Sequence, residues 1–245
     1  ITIFTYMSTW FVVAQLLRRN DVADIAWGMG FVTLAWVLYL TSPSIQLSLV
    51  VLLVTIWGVR LSTHIYMRNR GKPEDFRYLT WRKQWGKWFI LRSFGQVFIL
   101  QGLLLVMIAS PLIALADSPG DSLSSIHLLG LGIWLCGFLF ESIGDLQLSE
   151  FIKNRKKQGT VLRSGLWKYT RHPNYFGEVI GWWGIWLLAY QAEYFVLSVV
   201  GPLTITILIL KVSGIPLLER KYAANDAYQR YARKTNKFFP WFPKD

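Results

Sequence analysis

The sequence predicts an all-α integral membrane protein, a bundle of seven transmembrane helices with its N-terminus outside and its C-terminus in the cytosol. Three observations predict it. Of the 245 residues, 53% are hydrophobic and 16% charged, with a mean hydropathy of +0.34, values unlike a soluble domain. Apolar runs recur along the chain at lengths near the ~20 residues that cross a bilayer. The connecting segments alternate between those rich in Lys and Arg and those without any, as the positive-inside rule requires.

Taken in order, the spans read as residues 1–17, 26–40, 45–65, 93–115, 126–148, 176–190 and 194–212. Gly and Pro inside them are tolerable in a helical bundle. All 26 Lys and Arg fall in four places: Arg18 and Arg19, the stretch from Arg60 to Arg92, the stretch from Lys153 to Arg171, and the region from Lys211 onward. Segments 41–44, 116–125 and 191–193 contain none. With seven crossings, every basic segment lands on the cytosolic side. The net charge of +12 therefore belongs to a membrane surface, and no nucleic-acid partner is expected. The lone Cys136 lies in an apolar run, so no internal disulfide and no cysteine metal cluster can form, and no metal site is expected. The absence of an internal repeat or low-complexity linker reads as one membrane-embedded domain, residues 1–245.

The densest polar stretch is residues 164–178, SGLWKYTRHPNYFGE. Pro173 stops a preceding helix and can start a new one. The amides of the following helix would then face the loop and favour phosphate or carboxylate. The plainer interpretation is a cationic anchor with interfacial aromatics.

Polar residues within the spans sit in their inner halves. Asp24 opens the second, His64 and Tyr66 close the third, Gln96 and Gln101 lie in the fourth, Glu141 and Asp145 in the fifth, and Glu178 opens the sixth. Glu141 and Asp145 are four apart and share a helix face. An intramembrane carboxylate is a functional candidate by default. Asp24 can alternatively be a helix cap, and the glutamines interhelical contacts. The expectation is a polar cavity open to the cytosol below a closed apolar outer half. Residues 67–89 carry Trp81, Trp85 and Trp88 among Arg82, Lys83 and Lys87, a pattern for an amphipathic helix on the inner leaflet. The tail repeats the style with Tyr222, Tyr228 and Tyr231 and ends in FFPWFP.

Residues 165–178, with Glu141-x-x-x-Asp145 upstream and the tyrosine-rich tail, resemble the C-terminal region of the steroid 5-alpha-reductase family, most closely an uncharacterised bacterial branch. A shorter similarity is NRGKP at 69–73 with Arg60 upstream. The resemblance implies a seven-span fold, NADPH held mainly by residues 141–245 on the cytosolic side, and reduction of a carbon–carbon double bond conjugated to a carbonyl. By motif position it implies that Asn174 approaches the nicotinamide and that Asp145 contacts the ribose and phosphate region. Glu141, Arg60, Tyr169, His172 and Tyr222 join the cofactor set. Lys72, Arg155, Arg163 and Arg171 are assigned to its phosphates. The chain departs from the family at Glu141, where members carry asparagine; at Ala23-Asp24, in place of a Gln-Glu pair; and at Trp57, in place of a catalytic tyrosine. Tail histidines are absent.

The catalytic expectation follows from the chemistry. Charge develops on the carbonyl oxygen and needs a donor in a dry site. Asp24 is assigned that role with Tyr66 or Tyr175, and Glu178 helps Asn174 orient the reactants. The apolar outer halves suit a lipid-like substrate, steroid, terpenoid or enoyl, entering from the membrane lipids of a bacterial inner membrane. The alternative is an S-adenosylmethionine-dependent methyltransferase of the isoprenylcysteine or phospholipid type, whose members share Arg171-His172-Pro173-x-Tyr175. Their paired tail glutamates are here Glu219-Arg220. A non-catalytic protein that binds a lipid or partner is the third possibility.

Overall fold

The computed structural model describes residues 1–118, 122–154 and 159–244, and these are helical with no strand. Five helices are long and apolar enough to cross a membrane: α2 (Val22–Thr41), α3 (Ile45–Asn69), α4 (Phe76–Ile108), α6 (Ser125–Asn154) and α8 (Leu197–Lys221). Two others, α1 (Thr2–Leu17) and α7 (Pro173–Leu188), have 16 residues each. At ~1.5 Å per residue that is about 24 Å, short of the ~30 Å hydrocarbon layer. Helices α5 (Ser110–Asp117) and α9 (Asp226–Lys234) are shorter still. The chain is thus an integral membrane helical protein. It divides into two compact units, one of Ile1–Ser122 with Gln191–Val200, the other of Leu123–Tyr190 with Gly201–Asp245.

In the first unit, α2 and α3 form a hairpin packed backbone to backbone. A Cβ built on Gly28 would lie 2.6 Å from the carbonyl oxygen of Gly58, and the reverse distance is also 2.6 Å. Ser62 fixes the register by donating to the carbonyl of Ile25 at 2.8 Å. Phe31 sits edge-on between Trp27 and Trp57, so the position aligned with the family's tyrosine is buried core. Helix α1 is pinned to α2 by the Tyr6 hydroxyl, which donates to Ala26 O at 2.8 Å, and to α4 by Phe11 against Phe94 and Phe98.

Helix α4 departs from the expected span at 93–115. It starts at Phe76 because Asp75 caps it, accepting from the amide of Arg77 at 2.9 Å. It ends at Ile108, and α5 begins separately at Ser110 with Pro111 in its first turn. Proline lacks the N–H a continuing helix needs, and its ring obstructs the carbonyl four residues earlier. The apolar pattern ran through this break because both sides are equally apolar. The tryptophan-rich stretch is helical, and Trp81 and Trp85 stack at 5.3 Å.

In the second unit, α6 and α7 touch through glycines. A Cβ on Gly177 would lie within van der Waals exclusion of the Glu141 amide and the Gly137 carbonyl. Only glycine permits that approach, and it carries the buried Glu141 and Asp145 onto the N-terminal half of α7. Ser124 directly precedes α6, and its amide and hydroxyl both meet Nδ1 of His127. The opposite side of α6 exposes Leu135, Leu139, Ile143 and Leu146. Helix α8 loosens into a π turn at Leu208–Val212 and bends before Gly214.

Candidate functional site

Each unit holds one polar cluster, built from residues distant in sequence. In the first, Asp24 sits in the opening turn of α2. Its Oδ1 accepts from the Tyr78 hydroxyl at 2.8 Å and its Oδ2 from Arg77 Nη2 at 2.5 Å. Arg77 also donates through Nε to Asp75 at 2.9 Å. Asp21, two residues after Arg19, is gripped by its guanidinium through two bonds of 2.7 Å. Glu74 accepts from the Asn20 amide at 2.6 Å and from Arg82, and Asn20 Nδ2 donates to Ser93 Oγ at 2.8 Å. The hydrogen bond to Asp21 holds the Arg19 guanidinium above its usual range. Burial opposes ionisation of Asp75, but the bonds from the Arg77 side chain and amide outweigh it and keep the carboxyl below its usual value.

In the second unit, Glu219 on α8 gathers the loop at Arg171–His172 and the tail around one carboxylate. Its Oε1 accepts from Arg171 Nε at 3.0 Å, His172 Nε2 at 3.0 Å and the Tyr228 hydroxyl at 2.8 Å. Its Oε2 accepts from Arg171 Nη2 at 3.1 Å. Arg171 Nη1 turns the other way and donates to the carbonyls of Ala232 and Thr235, each at 2.8 Å. Burial pushes the His172 pKa down, against the pull of Glu219, so the neutral ring donates through Nε2–H. Burial, then the bond to Glu219, pushes Tyr228 up, and burial pushes Tyr231 up. Beside this clamp, at the start of α7, Asn174 Nδ2 donates to Asp145 Oδ1 at 3.1 Å. The Trp167 indole donates to Gly144 O at 3.1 Å, and Gln147 accepts from the Leu166 amide at 3.0 Å.

A family model described as "Protein of unknown function (DUF1295)" matches residues 10–235. The chain is a DUF1295 protein. An uncharacterized protein of Schizosaccharomyces pombe is 25% identical over 165 residues, 58% of this chain and 48% of that relative. The 3-oxo-5-alpha-steroid 4-dehydrogenase 1 of Macaca fascicularis is 33% identical over 70 residues, 27% of this chain and 25% of its own. Its Homo sapiens counterpart matches at 33% over 70 residues, 26% of its length. The DUF1295 chain therefore spans about half of the first relative's length and about a quarter of the dehydrogenases'. No solved structure matches.

The DUF1295 fold joins some of the residues assigned from sequence and separates others. Asp145 and Asn174 are bonded, and Tyr175 stacks on His172 with centroids 5.7 Å apart. Tyr222 is exposed and lies against Tyr228 at 5.2 Å. Tyr169 packs on Phe242 at 5.9 Å. Glu141 is buried on α6, and Glu178 is half-buried on α7. Arg60 is half-buried on α3, whereas Tyr66, Lys72 and Arg163 are exposed. Tyr66 is not the phenol on Asp24; Tyr78 is. Arg155 lies outside the described residues. An open apolar groove of about 620 Å³ runs along α1, lined by residues from Thr2 to Val13; none of the assigned residues lines it. The residues that sequence reasoning missed are Glu74, Asp75, Arg77 and Tyr78, and Glu219 in its role as a clamp. A signal for the first group existed: an acidic pair just after Pro73, followed by Arg-x₄-Arg, reads as a helix start with charge-paired first turns.

Proposed function

We propose that this DUF1295 chain is a membrane reductase that saturates a carbon–carbon double bond conjugated to a carbonyl in a lipid-like substrate, using NADPH. The observation that carries the proposal is the Asn174–Asp145 bond. The resemblance assigned these two residues, 29 apart, to neighbouring parts of one cofactor, and they are in contact at a helix start. The partial similarity to 3-oxo-5-alpha-steroid 4-dehydrogenase 1 supports the reaction class.

The second unit fits the cofactor by its donor set. With Nδ2 given to Asp145, the Asn174 side-chain oxygen remains an acceptor for a carboxamide. Tyr222 presents an exposed ring and Arg163 an exposed cation. Arg171 and His172 hold the loop and tail together instead of contacting phosphate, because their donors are already engaged by Glu219 and by tail carbonyls. NADPH supplies the hydride for the β-carbon when bound. Glu178 and Tyr175, on α7 with Asn174, orient the reactants.

In the first unit, the hydroxyl beside Asp24 belongs to Tyr78. Both Asp24 oxygens accept hydrogen bonds, one from Arg77 and one from the buried Tyr78 phenol, whose single proton is thereby engaged. Helices α1 and α7 complete seven crossings, with the C-terminus and the polar clusters facing the cytosol of a bacterial inner membrane; the distribution of Lys and Arg supports this orientation. The test is NADPH oxidation by purified protein with a panel of enone and enoyl lipids. Asn174→Ala is expected to weaken NADPH binding at least tenfold while the unfolding temperature holds. Binding of S-adenosylmethionine with none of NADPH would replace this proposal with the methyltransferase.

A further inference from the structure

We propose that the C-terminal segment 236–244 is a preformed docking surface for the anionic phospholipid headgroup layer. Phe239, Trp241 and Phe242 are 71%, 68% and 72% exposed, yet their backbone is tied down. Arg171 N donates to Asn236 O at 2.9 Å, Trp241 N to Tyr169 O at 3.0 Å, and Lys244 N to Lys234 O at 2.7 Å. Thr170 Oγ1 donates to Phe238 O at 2.8 Å. Phe238 and Phe239 both rest on Phe176. The segment is therefore held in one conformation while presenting large aromatic rings outward.

Two features select lipid as the occupant. The first is charge: Lys168, Lys237 and Lys244 are exposed around the rings, and Lys168 Nζ stands 5.8 Å over the Tyr169 ring that packs on Phe242. Aromatic rings flanked by cations match the headgroup zone, where Trp and Lys are favoured and anionic lipid attracts each cation. The second is continuity. The loop that carries the tail is bonded to Gly144 and Gln147 of α6, level with Leu146 at the end of the exposed apolar stripe. The tail thus begins where the lipid-facing surface of α6 ends.

The experiment places a nitroxide at Phe242→Cys, in a Cys136→Ser background, with the protein in nanodiscs of phosphatidylcholine with or without phosphatidylglycerol. A second label at Phe239→Cys gives an independent position. Collision with oxygen is expected to exceed collision with an aqueous nickel chelate several-fold at both labels. Native mass spectrometry is expected to show preferential retention of phosphatidylglycerol. Removing Lys168, Lys237 and Lys244 by Gln substitution should reduce that preference about fivefold per cation. Nickel-dominated collisions would overturn the proposal, as would retention that ignores the lysines. Spin–spin broadening or protection from both reagents would overturn it in favour of a second copy of this chain.

Discussion

The polar cluster at the start of α2 and the Glu219 clamp use the same chemistry to different degrees of completion. In the first, Asp21, Asp24, Glu74 and Asp75 share Arg19, Arg77 and Arg82, and the pairs remain partly open: Arg77 keeps 30% and Arg82 39% of its side-chain surface. In the second, Arg171 keeps 10% and has bonds on all three nitrogens. A buried guanidinium with its donors engaged holds segments together; it cannot also bind substrate without abandoning them. Asn174, by contrast, meets Asp145 through one amide nitrogen and keeps its side-chain oxygen as an acceptor. The difference assigns architecture to the RHP loop.

The largest effect expected is steric. Gly177→Leu would drive a side chain into the backbone of α6 and should cost about 3 kcal/mol or more, leaving little folded protein in detergent. Gly132→Ala, with nothing within 4 Å of its Cβ, should instead raise stability by about 0.5–1 kcal/mol. Equal outcomes for the two would dissolve the account of α6–α7 packing.

Next comes the contrast between clusters. Glu219→Ala leaves Arg171 buried without its counter-ion, at about 3–5 kcal/mol. Asp75→Ala removes a partly exposed cap and pair, at about 1 kcal/mol. Thermal or denaturant unfolding of both variants checks the order, and a reversed order would mean that the second cluster is the more adaptable.

The smallest effect is pH-dependent. The folded pKa of His172 lies below its unfolded value, so the unfolded chain takes up the proton first as pH falls. The stability linked to this group is complete above about pH 6.5 and is lost as pH falls below it toward the folded value. His172→Gln should flatten the profile of unfolding temperature between about pH 7 and pH 5.5.

Much of the helical frame was legible, since apolar length and turn residues are local. Helices α1 and α3 start within a residue of where the pattern put them, and α2 starts four residues earlier, at Val22. The start of α4 was missed because the charges of its first turns masked a helix that only Asp75 and the tertiary pairing reveal. Partners separated by 48 or more residues, such as Arg171 with Glu219 and Arg77 with Asp24, leave no periodic trace. Hence Arg171 reads as a phosphate ligand, and the phenol beside Asp24 is sought at Tyr66 or Tyr175 instead of Tyr78. Asp145 and Asn174 were found separately, from helix spacing and motif position; their contact depends on the glycine seam.

The central proposal is tested most directly by equilibrium binding of NADPH to the purified protein and to Asn174→Ala and Asp145→Asn. Saturable binding to the parent, weakened at least tenfold in both variants while their unfolding temperatures hold, is the predicted result. Undiminished binding in both variants, or none in the parent, would contradict it.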